Sequence, residues 1–320
     1  MLRSIVVVGS VNLDLVCVGK RIPAPGETLT GDDFKTFHGG KGANQAVAVG
    51  RLGYPVSMIG KVGDDDFGSR LREGLRAARV NARAVGTATS TASGVALITV
   101  DRQGQNSITV IPGANAKLLP QDLEKSLPQL RTAGMILTQL EIPIETVEYL
   151  CTVAHRFKVP LMLDPAPART LPRKMLRHVT YLTPNETETC TLCGAATEDL
   201  NLSNVGEFAE KLLSSGAANV IIKMGSRGAY LAGDDKLRKM IPAFKARVAD
   251  TTAAGDAFNG GLAVALMRGI GLEDAARFAS AAAALSVTRA GAQPAMPTGI
   301  EVREFLESHA KPTRRQVSKK

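Results

Sequence analysis

Short runs of Val, Ile and Leu alternate along this chain with stretches in which apolar residues recur every three or four positions. Residues 4–8, 57–59, 135–140, 159–163, 179–182 and 220–222 read as strands buried on both faces, because their apolar residues are consecutive. Between them, residues 44–52, 66–78, 144–156 and 205–214 carry helical spacing. That alternation predicts an α/β fold with a doubly wound, mostly parallel central sheet flanked by helices.

Two segments break the alternation. Residues 15–38 and 91–113 are strand-and-turn text, with turns at Pro23-Ala-Pro-Gly26, Gly31-Asp-Asp33 and Asp101-Arg-Gln-Gly104 and a strand over 94–100. They predict a small β-sheet beside the main one. Because both emerge next to polar residues suited to a ligand, we read this sheet as a lid; a fixed edge extension is the alternative. One α/β domain over 1–310 and a tail over 311–320 complete the organisation.

Composition narrows the function classes. The chain has 320 residues, 44% hydrophobic and 22% charged, which suits a globular protein. Its first apolar run, residues 5–8, is too short for a secretory core and no later run could span a bilayer, so a cytoplasmic, membrane-free protein is expected. Four cysteines (17, 151, 190, 193) make no disulfide framework. Cys190 and Cys193 have metal or redox spacing but no second pair follows, and a helix-borne structural pair is the favoured reading. Of the net charge of +9, Lys311, Arg314, Arg315, Lys319 and Lys320 supply five in a tail expected to be disordered. With no Trp and 4% aromatic residues, base stacking is poorly supplied and no nucleic-acid partner is expected. Anionic small molecules suit the remaining charge.

The chemistry is densest at Asp250-Thr-Thr-Ala-Ala-Gly-Asp256-Ala-Phe-Asn-Gly-Gly261, where small residues lead into a helix. Ala253, Ala254 and Gly255 let backbone amides approach an anion at the helix start, and Asp256 in the first turn can take a proton from a hydroxyl. Cradle and base together suggest phosphoryl transfer to an alcohol; a plain helix-capping Asp is the competing reading. Polar residues also follow the strands: Asn12 and Asp14, Glu141, Asp164, Asn185 and Glu188, and Gly225-Ser226-Arg227-Gly228. Open α/β sheets bind ligands at such strand ends. Gly39-Gly40-Lys41-Gly42-Ala43-Asn44 leads into a helix, but Gly42 after Lys41 and the wrong spacing exclude a P-loop.

Taken together and in this order, Asn12-Leu-Asp14, Gly39–Asn44, Glu141, Asp164-Pro-Ala-Pro-Ala, Thr183-Pro-Asn-Glu-Thr-Glu188, Gly225–Gly228 and Asp250–Gly261 resemble the ribokinase-like (PfkB) family of sugar kinases, over roughly residues 4–308. The resemblance implies that Asn12, Asp14, Gly40, Lys41, Gly42, Asn44 and Glu141 hold sugar hydroxyls and that Asp256 is the catalytic base. It implies an anion hole of Ala253, Ala254 and Gly255. Asn185, Lys223, Gly225, Ser226, Gly228, Gly255 and Ser280 would meet ATP, with Glu188 organising Mg²⁺ through water. K⁺, as activator, would lie among Asp250, Thr252, Ser286, Arg289, Gly291 and Ala295, mostly on carbonyls. Three positions depart from the family pattern: Ala295 for a Ser, Lys223 for a small hydroxyl residue, and Ser280 for His or Asn.

The expectation is therefore an ATP-dependent kinase acting on O5 of D-ribose, paired as a homodimer through the exposed lid edge. Other acceptors (deoxyribose, a ketohexose, a nucleoside), a catalytically silent sugar-binding regulator and a nucleic-acid binder led by the tail are the alternatives.

Overall fold

The computed structural model describes residues 2–233 and 235–309, so the 311–320 tail lies outside the described residues. In chain order the strands are β1 (Ile5–Val8), β2 (Asn12–Val18), β3 (Asp33–Gly39), β4 (Val56–Gly63), β5 (Asn81–Ala88), β6 (Gly94–Val100), β7 (Asn106–Ile111), β8 (Met135–Thr138), β9 (Leu161–Leu163), β10 (Tyr181–Leu182), β11 (Asn219–Lys223), β12 (Ala229–Gly233) and β13 (Arg238–Ile241). The helices are α1 (Lys41–Arg51), α2 (Asp66–Ala77), α3 (Pro120–Glu124), α4 (Leu127–Thr132), α5 (Ile144–Phe157), α6 (Arg173–Leu176), α7 (Glu186–Cys193), α8 (Val205–Ser214), α9 (Ala254–Met267), α10 (Leu272–Ser286) and α11 (Gly299–Ser308).

The large sheet runs β13-β12-β11-β10-β9-β8-β1-β4-β5. It is parallel from β11 to β5, and β12 and β13 fold back antiparallel. Its strands are buried on both faces: Ile5 and Val7 join one apolar layer, Val6 and Val8 the other. The expected α/β architecture is therefore present. Strand β5 escaped the sequence pattern because its buried positions, such as Ala82 and Ala88, are small and weakly apolar. Strand β13 (Arg-Lys-Met-Ile) is a half-charged edge whose apolar run is too short to announce it.

Strand order reverses at β1, which lies between β4 and β8. A ligand crevice opens at the carboxyl ends of strands where order reverses. The second sheet, β3-β2-β6-β7, stands over this end. It starts at Asn12, three residues before the expected lid, so Asn12 and Asp14 are lid-strand residues rather than loop residues. Helix α1 is buried from Gly42 to Gly50 and packs on α9, where a Cβ on Gly260 would stand only 2.6 Å from Ala48 Cβ. That bare glycine lets the two helix starts lie side by side.

Candidate active site

The close crossing of α1 and α9 brings Asn44 and Gln45 onto Asp256. Asn44 Nδ2 donates to Asp256 Oδ2 at 3.1 Å and Gln45 Nε2 to Asp256 Oδ1 at 3.0 Å. Gln45 Nε2 also reaches Asp164 Oδ2 at 3.0 Å, and Gln139 Nε2 holds Gln45 Oε1 at 2.7 Å. Asp256 is 4% exposed. Burial pushes its pKa up to about 6; Lys41 opposes the rise, Asp164 adds to it, and the Asn44 and Gln45 bonds oppose it. A carboxylate held this way is still ionised near neutrality and basic enough to accept a proton.

The turn before α9 is shaped by Ala253, which caps the helix at φ 59 in the left-handed region. Ala254 N–H donates to Thr251 O at 3.2 Å. Of the expected cradle this leaves the Ala253 and Gly255 amides, joined by that of Asp256, without a backbone acceptor among the described residues. Lys223, at the end of β11, forms an ion pair with Asp164 at 2.8 Å. A Cβ on Gly255 would lie 3.4 Å from its Nζ, so the ammonium borders the cradle.

On the lid side, Asn12 and Asp14 lie over glycines of the neighbouring strands. A Cβ on Gly39 would come 2.3 Å from both Asp14 oxygens, and one on Gly94 2.3 Å from Asn12 Oδ1. Asn115 Nδ2 fixes Asn12 Oδ1 at 2.7 Å, which leaves the Asn12 amide NH₂ to donate elsewhere. The Asp14 pKa is pushed up to about 7 by burial, then by Glu141 and Asp256. Glu141, after β8, accepts from Ser10 Oγ at 2.5 Å and from Lys41 N at 3.0 Å, both at Oε2. Ser10 Oγ accepts from Gly42 N at 3.3 Å, and Gly40 turns the chain at φ 84. Two of the three loop amides expected to face sugar thus stitch β1 to β8. Burial alone would lower the Lys41 pKa, but the carboxylates of Asp256, Asp164, Glu141 and Glu188 outweigh it and raise it.

On the opposite side, Asn185 and Glu188 form a reciprocal capping box at the start of α7: Asn185 N to Glu188 Oε2 is 2.7 Å and Glu188 N to Asn185 Oδ1 is 2.8 Å. Burial raises the Glu188 pKa while Lys223 opposes the rise. Asn185 also bridges to Lys223 through the backbone. Gly225 and Gly228 take positive φ around Ser226, and a Cβ on Gly228 would run into Ile241 O at 2.0 Å. Ser280 is buried on α10 and no side-chain hydrogen bond ties it to the other site residues.

The residues expected around K⁺ lie on two loops that the structure ties together. Asp250 accepts Gly291 N at 2.8 Å with one oxygen, and Thr252 N at 2.8 Å and Oγ1 at 2.6 Å with the other. Burial would raise its pKa, yet these bonds hold it below the ordinary value. Ser286 Oγ is turned back to Ala283 O at 2.8 Å, Arg289 is ion-paired to Glu301, and Ala295 is fully buried.

Gln45, Asn115 and Ser10 were not among the candidate site residues, and Asp164, noted as a polar residue at a strand end, was given no role, although each holds a candidate residue in place. Gln45 is adjacent to Asn44 and Asp164 follows a strand, so both had a sequence signal. Asn115 had none, because only the folded lid brings it to β2, 103 positions away from Asn12.

Comparison with known proteins bears on the family and the fold. Residues 2–299 match the pattern of the pfkB family carbohydrate kinases. A ribokinase of Bacillus subtilis is 43% identical over 95% of this chain and 100% of its own length. One of Schizosaccharomyces pombe is 41% identical over 93% of this chain and 96% of its own. The structure of Arabidopsis thaliana ribokinase complexed with ribose and ATP superposes with a TM-score of 0.90 at 34% identity, covering 96% of this chain and 99% of that one. With the pfkB pattern matched over residues 2–299 and likeness running the length of the chain, the protein belongs to the pfkB family of carbohydrate kinases.

Proposed function

We propose that the protein transfers the γ-phosphoryl group of ATP to O5 of D-ribose, giving D-ribose 5-phosphate and ADP. The observation that carries the reading is the Asn44–Asp256 pair. Asn44 Oδ1 is buried without a donor among the described residues, its Nδ2 is tied to Asp256 at 3.1 Å, and an orphaned buried acceptor calls for a hydroxyl.

The residues divide the work. Asn12 donates and Asp14, Asn44 and the free Oε1 of Glu141 accept, which matches the paired donor and acceptor character of vicinal hydroxyls. Asp256, oriented by Gln45, takes the proton from O5 as the O5–P bond forms and the bond to the β-phosphate oxygen breaks. The amides of Ala253, Gly255 and Asp256, with Lys223 at their border, stabilise charge on the transferring oxygens. Gly225, Ser226, Gly228 and Ser280 would line the nucleotide. The lid excludes water.

Two ions fit the residues present. Glu188, a buried carboxylate engaged by Asn185 and within electrostatic reach of Asp164, suits Mg²⁺ held through water, an ion that would neutralise charge on the phosphoryl oxygens. The Asp250–Gly291 loops suit K⁺ on carbonyls of Asp250, Thr252, Ser286, Arg289, Gly291 and Ala295, since the Asp250 carboxylate is already engaged. We further propose a cytoplasmic homodimer paired through the lid. Phe34, Leu97 and Ile111 are exposed on that sheet, and β3 and β7 are its free edges.

The test is an ATP-coupled assay of D-ribose, 2-deoxyribose, fructose and adenosine, with and without K⁺. Ribose is expected to show the highest kcat/KM, by about tenfold or more over each rival acceptor. A better rival would reassign the substrate, and sugar binding without ADP release would make the chain a regulator.

A further inference from the structure

A cavity of about 990 Å³ is lined by none of the residues of the proposed reaction centre. It lies outside the β3 edge of the lid sheet, between the C-terminal ends of α1 and α2 and the first turn of α11. Four arginines line it, Arg51, Arg79, Arg268 and Arg303, together with His38, and no Asp or Glu does. None of the four forms an ion pair among the described residues. Arg268 donates to Leu52 O at 2.9 Å, while Arg51 Nε is buried with no partner.

Arginine at a helix C-terminus ordinarily offsets the dipole there. The ends of α1, α2 and α9 meet at this cavity, each worth roughly half a negative charge. Three such ends balance less than half of four guanidinium charges. The first turn of α11 adds two amides with no intrahelical acceptor, those of Gly299 and Ile300. Like charges gathered around a cavity repel one another unless an anion joins them, and the planar donor fork of arginine matches phosphoryl oxygens. The volume is that of an ordinary small-molecule site, about 300–1,000 Å³.

We propose that this cavity is a second binding site, for a phosphorylated small metabolite, separate from the site of phosphoryl transfer. It is independent of which sugar is the acceptor.

Calorimetric titration of the full chain tests it, using inorganic phosphate, glycerol 3-phosphate and 3-phosphoglycerate as probes, each with ribose and a non-hydrolysable ATP analogue saturating the reaction centre. At least one probe is expected to bind one per chain with a Kd of about 1 mM or tighter. In Arg79→Glu/Arg303→Glu, two exposed positions whose change should leave the melting curve and basal kcat intact, that affinity should fall about tenfold or more. The single variant Arg303→Gln should weaken binding to a lesser degree. Absence of binding by all three probes, or affinity undiminished in the double variant, overturns the proposal. The readout is binding rather than turnover, so failure of the kinase reading would leave this result interpretable.

Discussion

Gln45 Nε2 lies 3.0 Å from Asp256 Oδ1, and the same amide reaches Asp164 at 3.0 Å. One side chain from the first turns of α1 therefore aligns the Asp256 carboxylate, the proposed base, and links it to the carboxylate that anchors Lys223. Gln45→Met keeps the volume and removes the donor. A hydrogen bond to a charged group is worth about 1.5–3 kcal/mol, so the Asp256 pKa should rise by about one unit or more. The acid limb of kcat/KM should move up accordingly, with a stability loss of about 1–3 kcal/mol from acceptors left unsatisfied. An unmoved acid limb in the pH–rate profile would assign Gln45 a purely structural role.

The wild-type profile has its own expected shape. The pKa values of Asp256 and Asp14 lie at about 6 and about 7. In the proposed reaction both carboxylates act ionised, one taking the O5 proton and one accepting a sugar hydroxyl. kcat/KM, which reports the free enzyme, should therefore be flat at about pH 8 and fall through the range from about 7 to about 6. Stopped-time assays of ADP release from about pH 5 to about pH 9 check it.

Asp256→Asn separates binding from chemistry. The amide preserves the shape and can still face Gln45, so ribose affinity should change little, while kcat falls by about 10²–10⁴. The stability effect has a definite sign. A folded pKa of about 6, against 3.8 for an unperturbed aspartate, means that the native state binds the proton more tightly. Asp256 therefore costs stability progressively as pH rises from about 4 to about 6, and the cost persists above that. The Asn variant should be the more stable protein at about pH 8, its advantage shrinking toward about pH 4, as read by urea denaturation at both pH values.

How much of this was visible in the sequence depends on where each signal lies. Asn12, Asp14, Asn44, Glu141 and Asp256 sit beside strand ends and helix starts, local features that composition and spacing report. The parallel strands were legible because they are apolar on both faces. Strand β5 was not, since Ala82 and Ala88 fill its buried positions, and the lid began earlier than expected because the polar Asn12 and Asp14 occupy strand positions. Asn115 and Gln139 act only through long-range contacts, and no local pattern encodes a partner so far along the chain. The arginine-lined cavity gathers residues from several separate elements and was equally invisible.

Ala253 holds a left-handed conformation at φ 59. For a residue with a Cβ this costs roughly 1–2 kcal/mol, offset in a glycine by its greater unfolded-state freedom. Ala253→Gly should stabilise the fold by about 0.5–1 kcal/mol while leaving the amide direction, and so kcat, within about twofold. Chemical denaturation and steady-state kinetics decide between this and an alanine methyl that packs productively on its neighbours.

Lys223 borders the proposed phosphoryl cradle. Its ammonium is 2.8 Å from Asp164 Oδ1, with side chains 13% and 3% exposed respectively, and it borders Gly255 in the cradle. Bound γ-phosphoryl oxygens would compete with Asp164 for the same charge. Lys223→Met should raise KM for ATP and lower kcat while the KM for ribose stays near wild type, because Lys223 bonds to Asp164 and to none of the proposed sugar-binding side chains. Removing one partner of a buried pair also destabilises, by about 3–5 kcal/mol where burial is complete, and less here since the lysine keeps some solvent. The double variant Lys223→Met/Asp164→Asn removes both charges. If Lys223 serves only to neutralise Asp164, the double variant should recover both stability and ATP kinetics. If it also meets phosphate, stability returns and the KM for ATP does not, which is the outcome expected.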